Sequence, residues 1–131
     1  MQSDIHVLIV DDNKNVRETL KAVLQIMPGI DVVGVAQNGQ EAVELVKKLN
    51  PDVVLMDLEM PVMDGMKAAQ KIKSKSLETR VIIFSIHNDE STKRKARMSG
   101  ADRFVEKGIP IHQLKNTIVS LCKKSVTKKR I

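Results

Sequence analysis

The chain contains no tryptophan, no tyrosine and only two phenylalanines. It is poorly equipped to hold nucleic-acid bases by stacking. It has a single cysteine, Cys122, so an internal disulfide is excluded and a reducing, cytoplasmic setting is the natural expectation. Cys122 itself reads as a small apolar residue buried late in a helix. No apolar run approaches the roughly 20 residues of a membrane span. The stretch MQSDIHVLIV has no basic segment before its apolar run and does not read as a secretory signal. Acid is missing from one region: residues 107–131 hold seven lysines and arginines and no aspartate or glutamate. The rest of the chain is close to charge balance, so the net charge of +6 belongs to the C-terminal segment. Its end, KKSVTKKRI at 123–131, is expected to be a solvated basic tail or linker stump. The sharper alternative is a tail that meets nucleic acid or an anionic partner.

What is present is one domain's worth of core: 131 residues, 42% of them hydrophobic. Short apolar runs alternate with helical patterns. IHVLIV (5–10), DVVGVA (31–36), DVVLMD (52–57), RVIIFS (80–85) and DRFVEK (102–107) read as strands. They are mostly rich in Val and Ile, as buried parallel strands are. Helices are expected over 14–26, 39–49, 65–74, 89–99 and 110–122. The first turns Val16, Leu20, Val23 and Leu24 inward. The second turns in Ala42, Val43, Leu45, Val46 and Leu49, with Asn38 as N-cap. The last places Ile111, Leu114, Ile118 and Leu121 on one stripe, with Pro110 in its first turn. The 89–99 segment carries Lys93, Arg94, Lys95 and Arg97 and few apolar anchors, so it is expected to be a looser element. Five strand–helix units imply an α/β domain with a parallel sheet covered on both faces.

Ligands of open parallel sheets bind at the C-terminal ends of the strands. The first strand ends in Asp11 and Asp12, the third in Asp57, the fourth in Ser85 and the fifth in Lys107. Taken singly, each has a plain reading: a helix cap, a turn, a surface hydroxyl, a solvated amine. Taken together they place three carboxylates, a hydroxyl and an ammonium on one sheet edge. Three close carboxylates cannot all stay ionised without a cation. An all-oxygen set that leaves room for water suits Mg²⁺. The missing positive charge is thus expected to be a divalent metal, with Lys107 helping. One carboxylate is then free to act as a nucleophile toward phosphorus, and Asp57, alone at the end of the central strand, is the candidate.

LIVDD (8–12), DVVLMDLEMPVMDG (52–65), VIIFS (81–85) and GADRFVEK (100–107), with their spacing, resemble the receiver domains of bacterial two-component response regulators. The likeness runs over about residues 5–121. It is strongest to receivers that precede helix-turn-helix domains. The resemblance implies a (βα)₅ flavodoxin-like three-layer sandwich with a parallel five-stranded sheet of order 2-1-3-4-5. It divides the chain into a receiver at 1–122 and the tail at 123–131. It implies that Asp57 accepts a phosphoryl group from a sensor histidine kinase or a phosphotransfer protein. Mg²⁺ or Mn²⁺ would be held by Asp12, Asp57 and the backbone carbonyl of Glu59, with Asp11 acting mainly through a metal-bound water. Ser85 and Lys107 would bind phosphoryl oxygens. Phe104 would be the aromatic switch partner of Ser85, and Glu59 and His87 would tune the lifetime of the phosphate. Phosphorylation would then shift the 89–122 surface toward a form that binds a protein target, expected here to be acidic. Such a protein is a switch rather than a turnover enzyme, and a monomer or a phosphorylation-favoured dimer. Two departures stand out. Gly108 follows Lys107 where many receivers have proline, so the Lys107 loop is expected to be softer. Ile86 follows Ser85 where many have a small residue, which is expected to narrow access to the site.

Two other chemistries share parts of this pattern. A flavodoxin needs a Ser/Thr/Gly loop after the first strand to hold phosphate, and DDNKN would repel it. An aspartyl phosphatase would have a second acid two residues past its nucleophile, as Glu59 is to Asp57, but its nucleophile would sit on the first strand. The remaining choice concerns output. A stand-alone signalling protein is the reading taken, and a receiver cut from a DNA-binding regulator is the alternative.

Overall fold

The computed structural model describes residues 4–76 and 78–122. Its elements run β1 (Ile5–Val10), α1 (Lys14–Gln25), β2 (Ile30–Ala36), α2 (Gly39–Leu49) and β3 (Val53–Met56). They continue α3 (Gly65–Lys75), β4 (Arg80–Ser85), α4 (Glu90–Met98), β5 (Arg103–Glu106) and α5 (Ile111–Cys122). The five strands form one parallel sheet in the order β2-β1-β3-β4-β5. The expected flavodoxin-like order is therefore the observed one.

Alternate residues of the buried strands feed two separate cores. Val7, Ile9, Leu55 and Ile82 pack with Leu20 and Leu24 of α1 and Leu114 and Ile118 of α5. Leu8, Val10, Met56 and Ile83 pack with Ala42 and Val46 of α2, Ala68 and Ile72 of α3 and Ala96 of α4. Period-two alternation in a strand covered on both sides requires this division.

Elements differ from expectation mainly at their ends. β3 and β5 are each one residue shorter at both ends, so Asp52, Asp57, Asp102 and Lys107 lie just beyond the strands while their amides still bond to the neighbouring strand. At the lower edge two carboxylates cap neighbouring strands: Asp52 accepts from the His6 amide at 2.8 Å, and Asp102 from the Val81 amide at 2.8 Å. Asn38 caps α2 as expected, while Asp89 is the N-cap of α4 rather than its first residue. Pro110 lies just before α5, where its carbonyl accepts from Gln113 at 2.9 Å. Val16, Val23, Val43, Leu45 and Leu49 are half-buried rather than fully inward. Ala96 is the one buried residue of α4. Cys122 is half-buried and packs at the margin of the α1/α5 core. The basic tail lies outside the described residues.

Candidate functional site

The sheet's own hydrogen bonding carries the acidic residues to one edge. Just past β1, the Asp11 amide donates to Ala36 at 3.1 Å, and just past β3 the Asp57 amide donates to Val10 at 3.0 Å. The Lys107 amide donates to the Ser85 carbonyl at 2.8 Å. The three chain ends thus extend the parallel ladder by one residue each, and their side chains converge.

Lys107 is the centre of the arrangement. Its ammonium lies 2.6 Å from Asp11 Oδ2 and 3.3 Å from Asp57 Oδ2, and 5.9 Å from the centre of the Phe84 ring. Asp11 is almost fully buried, and its other oxygen accepts from the Asn13 amide at 2.9 Å. Arg17 donates to the Asp11 carbonyl at 2.7 Å. Asp12, by contrast, is exposed, and the cap of α1 is Asn13 rather than either aspartate. One carboxylate oxygen from each of Asp11, Asp12 and Asp57 lies within 4.8 Å of the others.

The electrostatics follow from this packing. Burial raises the Asp57 pKa above the usual carboxylate range; Lys107 pulls it down and Asp11 pushes it up. Burial alone would lower the Lys107 pKa, but the hydrogen bond to Asp11 and the charges of Asp57 and Asp11 lift it above the usual lysine value. Lys107 therefore offsets one of the three carboxylate charges of the cluster, the helping part that the sequence reading gave it.

Ser85 ends β4 with its side chain buried, and its Oγ accepts from the His87 amide at 3.1 Å. That leaves the hydroxyl proton available to a further acceptor. Over this strand end, His87 Nε2 stands 3.6 Å from Glu59 Oε1, both side chains being exposed. Ile86 is 69% exposed, on the outside of this loop. Phe104 sits on β5 opposite Ile83, half-buried against the α2/α3/α4 core, with Lys93, Arg97 and Ile109 around the cleft that it lines. Gly108 takes φ +97°, a left-handed conformation closed to proline, and the described backbone contains no cis peptide.

Two contributors escaped the sequence reading. Gly65 is one: a Cβ there would lie 2.1 Å from the Asp57 carbonyl oxygen, so only glycine lets α3 start against the Asp57 backbone. The glycine of MDG at a helix start was the available signal. Lys95 is the other: with Thr92 it borders a cavity shared with Leu58, Glu59, Ser85 and His87. Nothing in the charge run of α4 marked which cation faces the site.

The model of the response regulator receiver domain matches residues 7–119. The chain belongs to that family. Among its relatives is the nitrate/nitrite response regulator NarL of Escherichia coli, 38% identical over 106 residues. That alignment takes in 81% of this chain and 49% of the relative, so the receiver spans about half the length of the curated protein. The signal receiver domain of a NarL from Mycobacterium tuberculosis superposes with a TM-score of 0.88 at 32% identity, covering 93% of this chain and 98% of that one. The response regulator TrrA of Thermotoga maritima, solved in complex with Mg²⁺ and BeF, superposes with a TM-score of 0.79 at 31% identity, covering 89% and 98%. No helix among the described residues is long and apolar enough to cross a membrane.

Proposed function

We propose that this receiver is a phosphorylation switch whose acceptor is Asp57. The observation that carries the proposal is the Lys107 ammonium bridging Asp11 and Asp57 at the edge of the three-carboxylate cluster. A carboxylate oxygen of Asp57 attacks the phosphorus of a phosphohistidine on a sensor kinase or phosphotransfer protein. The P–O bond to Asp57 forms as the P–N bond breaks, and the departing imidazole takes up a proton from solvent to leave neutral. Lys107 offsets the charge gathering on the phosphoryl oxygens, and the Ser85 hydroxyl donates to one of them.

The donor set fits a hard divalent ion: three carboxylates whose oxygens lie within 4.8 Å of one another, one of them exposed. Asp12, Asp57 and the Glu59 carbonyl would hold Mg²⁺ or Mn²⁺ directly, and Asp11 through water. The Mg²⁺–BeF complex of the Thermotoga relative supports this reading. When bound, the ion would neutralise the acidic cluster and the incoming phosphoryl group.

After transfer, Ser85 shifts toward the phosphate and Phe104 turns into the space it leaves, changing the surface of α4, β5 and α5. Glu59 and His87 stand over the site and set how readily water reaches the acyl phosphate. The target surface carries Lys93, Arg94, Lys95 and Arg97 on one short helix, so its partner presents an acidic patch. Reversing the charge of Lys93 and Arg94 weakens that binding in a titration calorimeter; unchanged affinity would remove the acidic-partner idea. The setting is cytoplasmic. A second reading, control of a DNA-binding output domain, is favoured by one observation: the receiver corresponds to about half of the nitrate/nitrite regulator.

The test is intact-mass analysis after incubation with acetyl phosphate, with Mg²⁺ or with EDTA, alongside Asp57→Asn. One added phosphoryl group that needs both the metal and Asp57 supports the proposal. Labelling that survives Asp57→Asn, or none from any donor including a phosphorylated kinase, overturns it.

A further inference from the structure

The α2 and α3 helices meet closely at their N-terminal ends and line a cavity toward their C-terminal ends. At their N-terminal ends the Gly39 amide donates to the Met63 carbonyl at 2.9 Å, and a Cβ on Gly39 would lie 3.0 Å from the Ala68 Cβ. Small residues permit that approach. Toward the C-terminal ends a cavity of about 240 Å³ is lined by larger side chains of both helices.

Its lining has two parts. Val43, Val46 and Ile72 supply apolar surface, with Val46 and Ile72 otherwise buried in the core. Lys47, Lys71 and Lys75 stand around the mouth, all exposed. Among the described residues, none of these three ammonium groups has a carboxylate within ion-pair distance. Asn50 and Ser76, the C-caps of the two helices, add polar groups at the rim.

Cations near helix C-termini have an ordinary use, since each helix end presents about half a negative charge. Two such ends offset only about one of the three lysine charges. The three lysines exceed what the helix ends offset by about two charges, and no acid lines the cavity among the described residues. The volume lies below the range of roughly 300–1,000 Å³ that holds drug-sized ligands, so a single ring or a short chain is the matching size.

From this juxtaposition we infer that the cleft between the C-terminal turns of α2 and α3 is a second ligand site, selective for a small amphipathic anion. The ligand class is a ring-sized or short-chain apolar body bearing one phosphate, phosphonate or carboxylate group. The apolar body rests on Val43, Val46 and Ile72, and the anionic group sits among Lys47, Lys71 and Lys75. The site is separate from the acidic cluster: Ile72 lies seven residues along α3 from Gly65, roughly 10 Å of helix from the Asp57 backbone. Its existence does not depend on Asp57 being phosphorylated.

The experiment is an amide chemical-shift titration of the full chain, in EDTA, with three probes. Phenylphosphonate carries both the ring and the charge, methylphosphonate the charge alone, and benzyl alcohol the ring alone. Saturable shifts with phenylphosphonate, centred on residues 43–50 and 71–76, are expected, with much weaker effects from the other two. Replacing Lys47, Lys71 and Lys75 together by glutamine weakens phenylphosphonate binding at least roughly tenfold, a loss of about 1.4 kcal/mol or more. Added salt acts in the same direction on the unchanged protein, which serves as a second readout without mutation. Shifts that fail to saturate overturn the inference. So does equal binding of methylphosphonate or benzyl alcohol, which would reduce the site to a charged patch or an apolar crevice. Affinity that ignores both salt and the lysines overturns it as well.

Discussion

Lys107 bridges two carboxylates at once, and its side chain is only 16% exposed, as is that of Asp57. Removing it leaves Asp11 and Asp57 facing each other without the ion pair that both carboxylates make among the described residues. Lys107→Met is therefore expected to cost roughly 1–3 kcal/mol of stability in EDTA, the penalty of stranded polar groups. Mg²⁺ should recover much of the loss, because an ion that binds the folded state stabilises it. Thermal melts with and without Mg²⁺ check both halves. The pH dependence of Asp57 has the opposite sign from the usual carboxylate. Its folded pKa is raised, chiefly by burial, so its ionised form costs stability at neutral pH. That cost fades as pH falls through the folded pKa. In EDTA, Asp57→Asn should melt above the unsubstituted protein at neutral pH, and the gap should close on acidification. A gap that widened instead would show that Lys107, not burial, dominates. The contribution of Lys107 runs the other way. Its raised pKa gives stability that is present below its unfolded pKa of about 10.4 and lost as pH rises through the folded value.

At the scale of elements, the start of α3 and the loop before it decide how Asp57 is presented. A methyl at Gly65 would meet the Asp57 carbonyl oxygen at 2.1 Å and the Leu58 Cα at 2.9 Å, both backbone atoms that cannot swing aside. Gly65→Ala should cost roughly 1–3 kcal/mol by overpacking. It should also slow phosphorylation from acetyl phosphate, because the strain is released by moving Asp57. Three residues earlier, Val62 sits at φ +67° with its side chain 82% exposed. A β-branched residue is poorly suited to that conformation and gains little burial there. Asparagine tolerates it, so Val62→Asn should raise the midpoint of urea unfolding by an amount equivalent to roughly 1 kcal/mol. An unchanged midpoint would mean that the loop relaxes out of the left-handed region in solution.

The whole molecule is two cores divided by one sheet. Ile118 on α5 packs in one and Ile72 on α3 in the other. Each Ile→Val change should cost roughly 0.5–1.5 kcal/mol. The double variant should sum them to within about 0.5 kcal/mol, since the sites share no partner. Larger coupling in urea titrations would show that the sheet transmits strain from one face to the other. That property would matter to the proposed switch, in which Asp57 at the sheet edge controls a surface on α4 and α5.

Much of this protein is written in local sequence. Strand and helix periods, the Asn38 cap and the carboxylates at strand ends are all legible within a few residues, because side-chain period and turn chemistry are local properties. The placement of Asp11, Asp12, Asp57, Ser85 and Lys107 along one edge then follows from parallel topology. Tertiary structure alone decided how they pair. Lys107 reaches back 96 residues to Asp11, and Asp11 rather than Asp12 is the buried member of the doublet. The same holds for Asp102, which gathers Lys73 at 3.0 Å, Arg80 at 3.5 Å and the Val81 amide at 2.8 Å without any local sign of doing so. It holds too for the lysine-rimmed cleft, whose lining comes from two separate helices. Such contacts depend on distances between elements, which no local period encodes.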